Sequence, residues 1–115
     1  MTARLASAMP VLPSLDFEAT ERAYAAFGFA TLHRDEGTLI LARDGARLMF
    51  WVCEDRSICE ASGAYLAVEE VDALAREAEA AGWRTVAAAD KPWGQREAYL
   101  FDPHGNLLRL GQPLR

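Results

Sequence analysis

The sequence writes one strand–helix pattern twice. In the first copy, contact residues fall at Phe17, Thr20, Tyr24 and Phe27, the 3-4-3 spacing of a single helix face, and Gly28 comes next. In the second, Val71, Leu74, Ala78 and Ala81 repeat that spacing, with Gly82 after them. Gly28-Phe29 and Gly82-Trp83 stand 54 positions apart. An extended segment precedes each helix pattern: residues 8–13, whose Pro10 and Pro13 suit a strand edge or end, and residues 63–68. Asp16 or Ser14 can cap the first helix, with Glu18 and Glu21 near its positive end; Glu69, Glu70 and Asp72 start the second. Two matched units of this kind predict two like modules packed together.

The segments after the two helices are parallel as well. Strand-like runs at 30–34, 38–42 and 47–53 are split by Asp35-Glu36-Gly37 and Asp44-Gly45, which are turn chemistry. Runs at 84–88, 95–101 and 107–111 are split by the 89–94 loop and by Asp102-Pro103-His104-Gly105-Asn106. Each half therefore reads βαβββ, with its last three strands as an antiparallel meander. The fold class is α+β, in one domain spanning 1–115, with modules at about 7–55 and 62–112. A chain of 115 residues has room for one core. One helix covers one face of a four-stranded sheet and leaves the other face in need of a partner. Pairing two such sheets makes a curved, half-open barrel with an inner surface. The pairing can be within one chain or between two.

Charge and composition narrow the function. Seventeen acids against twelve bases give a net charge of -5. That argues against a nucleic-acid partner, which needs a concentrated positive field, and is compatible with a cationic small ligand. No apolar run approaches the roughly 20 residues a bilayer requires. The opening residues, broken by Pro10 and Pro13, do not read as a signal peptide, so a cytoplasmic protein with Cys53 and Cys59 as reduced thiols is expected. Cys53 and Cys59 lack zinc-ribbon spacing, and His33 and His104 read as solvent-exposed imidazoles. There is no Gly-rich phosphate loop and no G-x-S-x-G elbow.

The βαβββ–βαβββ order, closing on Asp102-Pro103-His104-Gly105-Asn106-Leu107-Leu108-Arg109-Leu110, resembles the vicinal-oxygen-chelate superfamily. That superfamily holds glyoxalase I, extradiol dioxygenases, fosfomycin-resistance enzymes and bleomycin-resistance proteins. The chain is most similar in kind to the bleomycin-resistance proteins, through residues 9–13, 15–29, 34–37 and Lys91-Pro92-Trp93-Gly94-Gln95-Arg96-Glu97. The resemblance implies a non-enzymatic homodimer that sequesters a bulky cationic antibiotic in grooves at the subunit interface, with an N-terminal strand exchanged between protomers. It also places the metal-donor positions of the superfamily's enzymes at Met9, Gly63 and Arg109, and near Phe50. None of these suits a divalent ion, and a guanidinium repels one. No cofactor and no metal are expected. The alternatives are a metal-dependent glyoxalase-like lyase, isomerase or thiol transferase, which would need an unrecognised metal site, or a binder of an unrelated metabolite.

Strand alternation puts Leu48, Phe50 and Val52 on one face and Met49, Trp51 and Cys53 on the other, so one set faces the concave side. Bleomycin-type drugs carry a flat bithiazole and a positive tail, which aromatic planes and carboxylates suit. By resemblance, Trp93 and Tyr65 fall at groove positions. Trp93, between Pro92 and Gly94, is an unnatural core residue and reads as a ligand contact. Trp51, Tyr99 and Phe101 are open between ligand contact and core or dimer contact. Asp35 is the leading carboxylate; Glu36, Glu54, Asp55 and Glu60 are the others. Glu97 and Arg109 can face one cavity, where an Arg–Glu pair reads as structural. The segment 51–59 departs from the family's loop, and the large Trp51 predicts a narrower groove.

Overall fold

The computed structural model describes residues 2–115. The first module runs β1 (Val11–Ser14), α1 (Phe17–Ala26), β2 (Ala30–Arg34), β3 (Thr38–Arg43) and β4 (Ala46–Val52). A short helix, α2 (Arg56–Glu60), leads into the second, which runs β5 (Gly63–Ala67), α3 (Val71–Ala80), β6 (Arg84–Asp90), β7 (Gln95–Phe101) and β8 (Leu107–Pro113). The sheets have one topology written twice, β1-β4-β3-β2 and β5-β8-β7-β6. In each, the first strand pairs parallel with the last, and the remaining pairs are antiparallel. The two glycine stops behave alike: Gly28 has φ +84° and Gly82 φ +93°, the left-handed turn that ends a helix.

Local chemistry fixes the helices. Asp16 caps α1 by accepting from the Glu18 N–H at 3.1 Å. The predicted α1 face is buried in full: Phe17, Thr20, Tyr24 and Phe27. The α3 face is buried at Val71, Ala75 and Ala78, with Leu74 and Ala81 only part-buried at its margin. Glu70, at φ +58°, supplies no side-chain cap. Gln112 from β8 reaches the Val71 N–H instead, at 2.6 Å.

Between the modules, where the sequence assigns no element, α2 forms because Asp55 caps it at the Ser57 N–H. Three expectations are corrected. Alternation fails at the end of β4, where the chain leaves the sheet; Val52 is exposed and Cys53 buried, the reverse of the simple face assignment. The extended segment at 8–13 pairs later than predicted, starting at Val11. His104 is buried, not exposed. Its Nδ1 accepts from the Leu15 N–H at 3.3 Å, so the neutral ring carries its proton on Nε2. Cys53 and Cys59 are both free thiols, and burial pushes Cys59 up to about 11, with neighbouring Cys53 adding to the shift.

The modules share one core. Tyr24 stands at its centre, edge-on to Phe29, Phe50 and Trp83 with ring centroids 5.5, 5.2 and 4.8 Å away. Trp83 belongs to the second module, and its indole N–H donates back to the Ala23 carbonyl at 3.1 Å. The Tyr24 hydroxyl donates to Asp102 Oδ2 at 2.9 Å. Asp102 Oδ1 also accepts from the His104 and Asn106 N–H groups, and Asn106 Nδ2 bridges Asp102 Oδ2 to the Pro13 carbonyl. Asp102 thus organises the terminal turn and locks it to β1. The two sheets share no ladder, and the molecule is a slab of 48 × 44 × 25 Å. The inner faces of both sheets therefore stay open within one chain. Residues 2–8 are exposed and without regular structure, and Leu5 is 97% exposed.

Two outcomes test this core. Tyr24→Phe leaves a buried carboxylate oxygen short of a donor and is expected to cost about 1–3 kcal/mol in chemical denaturation. Desolvation lowers the His104 pKa, helped by Arg56 and opposed by Asp102 and Asp16. The unfolded imidazole titrates near 6.5, so below about that pH the unfolded chain binds the extra proton. Stability is complete above about 6.5 and is lost as the pH falls through the lower folded value. Melting should drop between pH 7.5 and 5.5, and His104→Gln should flatten that drop.

Candidate functional site

Residues paired across neighbouring strands project to the same face of a sheet. In the second sheet, Tyr65, Arg109, Tyr99 and Val86 form one such row, and Ala67, Gly111 and Glu97 the next, with Ala89 continuing it. Leu66, Leu108, Leu110, Ala98 and Leu100 alternate with them and pack into the core, so these rows are the inner face. Trp93 joins them from the turn between β6 and β7. That turn is set by Lys91 N–H to Gln95 O at 2.7 Å and by Gly94 at φ +87°.

Glu97 holds the cluster together. Its carboxylate is inside the rim, with the residue only 3% exposed. Oε2 accepts from the Tyr65 hydroxyl at 2.7 Å and from the Trp93 indole N–H at 2.8 Å. The Tyr99 hydroxyl approaches Oε1 at 3.4 Å. Donation from Tyr65, then from Trp93, holds the Glu97 carboxyl below its usual range, and Lys91 contributes at a distance. The Tyr65 phenol is pushed up to about 12, by desolvation first and by donation to Glu97 second. Tyr65 reaches Glu97 diagonally, across Gly111. A Cβ at Gly111 would lie 1.8 Å from the Tyr65 hydroxyl oxygen, so that position must be bare.

Both side chains stay substantially exposed: Trp93 61% and Tyr65 48%. Cations sit over the neighbouring rings. Arg109 and Lys91 lie over Tyr99 at 5.8 and 5.1 Å, and Arg84 stacks on Phe101 at 3.8 Å. Among the described residues, Glu97 and Arg109 form no ion pair; the carboxylate is taken by phenol and indole instead. Glu97 as the hub was missed from sequence. The signal for it was the four-residue spacing from Trp93 across a Gly turn, which brings an indole N–H back to its own strand.

The other sequence candidates lie apart. Trp51 projects from the inner face of the first sheet, 40% exposed, in a row with Pro13 and Thr38. Val11, Met49 and Ile40 form the next row. Asp35 and Glu36 occupy the β2–β3 turn. Asp35 Oδ1 accepts from the Gly37 and Thr38 N–H groups, and Oδ2 bonds the His33 ring at 2.7 Å. His33, then those backbone donors, lowers the Asp35 pKa. Asp55 is spent as the α2 cap, Glu54 is exposed, and Glu60 packs against Gly105.

A metal centre finds no support in the donor set. Phe50 lies in the core beneath Tyr24, so Met49, and not Phe50, occupies the inner-face position on β4. A Cβ at Gly63 would meet the Leu107 carbonyl oxygen at 2.5 Å, leaving no room for a ligand side chain. Met9 precedes β1, and Arg109 brings positive charge. Among the described residues, no three His, Cys, Asp or Glu side chains gather in a metal-binding group. Two concavities meet Tyr65: a cleft of about 350 Å³ bordered by Ser62, Tyr65, Leu107 and Arg109, and a groove of about 900 Å³ between the modules. Tyr65 lines both; Trp93, Tyr99, Trp51, Asp35 and Glu36 line neither.

The family model for the Glyoxalase/Bleomycin resistance protein/Dioxygenase superfamily matches residues 9–110. The chain belongs to this superfamily. Within it, the chain is 30% identical over 114 residues to a bleomycin resistance protein of Klebsiella pneumoniae, covering 91% of this chain and 90% of the relative. It is similar in structure to a bleomycin resistance determinant encoded on transposon Tn5, with TM-score 0.87 and 31% identity over 95% of this chain and 98% of the other. It is also similar to a bleomycin-binding protein complexed with bleomycin, with TM-score 0.86 and 31% identity over 94% and 98% of the two chains. This superfamily member keeps the paired βαβββ modules with an aromatic inner face.

The Tyr65 environment is directly measurable. In alkaline difference absorbance, Tyr65→Phe should remove a phenol step near pH 12. Glu97→Gln should move that step down toward the ordinary value near 10. A Tyr65 step that is already near 10 in the unaltered protein would contradict the arrangement.

Proposed function

We propose that the chain binds a bulky, cationic, partly aromatic antibiotic of the bleomycin type and withholds it from its target, making and breaking no bond. The observation that carries this reading is the Tyr65–Glu97–Trp93 cluster: two flat rings offered to solvent with their polar edges tied down. Such rings suit stacking on a planar heteroaromatic group. The relatives named for bleomycin resistance and bleomycin binding support the choice of ligand.

The working unit is a homodimer. Each chain leaves the inner faces of both sheets open, with Val11, Trp51, Tyr65 and Val86 exposed. Large apolar side chains left exposed on sheet faces suit an interface or a ligand groove. Apposing the second sheet of one copy to the first sheet of the other makes two equivalent grooves. The exposed residues 2–8 form an arm that can cross to the neighbour. Ligand contacts are assigned to Trp93, Tyr65 and Tyr99 on one wall and to Trp51 on the other. Arg84, Lys91 and Arg109 crowd the second sheet, so the ligand's positive tail is directed toward Asp35 and Glu36 on the facing copy's turn. Glu36 is the freer of the two, since Asp35 already holds His33 and its own turn. No helix among the described residues is long and apolar enough to cross a membrane. The assigned site of action is the cytoplasm, where the drug would be held away from its target.

Calorimetric titration with bleomycin should saturate at two drugs per dimer and quench tryptophan emission. Trp93→Ala should weaken binding about tenfold while the melting temperature stays nearly constant. A large fall in melting temperature would make Trp93 a core residue. Absence of saturable binding at micromolar drug would remove this ligand and leave the fold intact. Stoichiometric nickel, zinc, manganese or iron in purified protein would favour the enzymatic alternative.

A further inference from the structure

We infer that Glu97 is a positioning residue: it fixes the planes of Trp93 and Tyr65 before any ligand arrives, and the bare Gly111 is the opening through which it does so. The inference rests on the binding role proposed for those two rings. Trp93 sits on a Pro-Trp-Gly turn and is 61% exposed. A side chain so exposed has little packing to choose its rotamer. The bond from its indole N–H to Glu97 Oε2 at 2.8 Å supplies that choice. Tyr65 comes from β5, two strands away from Glu97 on β7, and the same oxygen anchors its hydroxyl at 2.7 Å. The two rings are thus referenced to a single atom, which sets their positions relative to each other as well as to the sheet.

An ionised acceptor makes this anchor stronger than an amide or a water would. Glu97 is also well placed to stay fixed. It lies mid-strand, paired with Gly111 on β8 and Ala89 on β6. Gly111 has no positive φ, so its lack of a side chain serves space and not backbone conformation. Any larger residue there would push the Tyr65 phenol off its path to Glu97. Rings held in place lose less side-chain freedom when a ligand stacks on them, which raises affinity with no additional contact.

The test has a ligand-free arm and a ligand arm. Nitrogen-15 spectra of the free protein resolve the indole N–H signals of Trp51, Trp83 and Trp93. Glu97→Ala should move the Trp93 signal upfield and speed its exchange, leaving Trp83, bonded to Ala23, in place. A Trp93 signal unmoved by Glu97→Ala overturns the inference, whether or not bleomycin binds. In bleomycin titrations, Glu97→Ala should weaken binding about tenfold, Glu97→Gln less, and Gly111→Ala should also weaken it through Tyr65 alone. In a Tyr65→Phe/Trp93→Phe background, where an aromatic ring stays at each position and both donors are gone, Glu97→Ala should cost less than about twofold more. An undiminished tenfold loss there would make Glu97 a direct ligand contact and overturn the positioning role. If the unaltered protein binds no bleomycin, the proposed ligand fails while the nitrogen-15 arm still decides the role of Glu97.

Discussion

The buried carboxylate of Asp102 is the joint on which the two halves of this protein depend. It receives four donors, from the Tyr24 hydroxyl, the Asn106 amide and the backbone N–H groups of His104 and Asn106. Only one of those four comes from the first module, and it comes from the residue at the centre of the shared aromatic cluster. A buried charge that lost these donors would be costly. The terminal turn therefore cannot move without disturbing α1, and Asn106 carries the link on to the carbonyl of Pro13 in β1. His104 adds a neighbouring link through the Leu15 N–H.

With the halves locked together through this core, the inner face of each sheet stays open within the chain. The repeat gives both sheets one strand order but not one surface. The first sheet presents Val11, Ile40, Met49 and Trp51; the second presents Tyr65, Tyr99, Glu97 and Arg109. The scaffold is duplicated and the chemistry is not. Within the proposed dimer, the apolar face of one copy would lie against the anchored rings of the other, an arrangement that suits a ligand with a flat apolar part and a charged end.

The two modules, their helix faces and their turns were legible from residues alone because each depends on neighbours a few positions away. The matched spacing after position 17 and after position 71 needs only helical geometry, and Gly28 and Gly82 need only a left-handed turn. The same locality placed Trp93 outside the core. It left 56–60 unassigned, where capping by Asp55 winds a short helix that no apolar period announces. It erred at Phe50, because a one-residue slip in relating the two halves exchanges the core face for the inner face.

By itself, then, the sequence determined the repeat, the α+β class and the aromatic residues available to a groove, since each is read from local periodicity or turn chemistry, written once in each half. Tertiary structure alone decided which polar groups meet. Asp35 was singled out and proved occupied by its own turn and by His33, while Glu97 gained its importance from a tyrosine two strands away. His104, judged exposed, is drawn inside by a backbone donor 89 positions earlier in the chain. Contacts at such separation are set by sheet register and by the closing of the core, and neither is written in any local pattern.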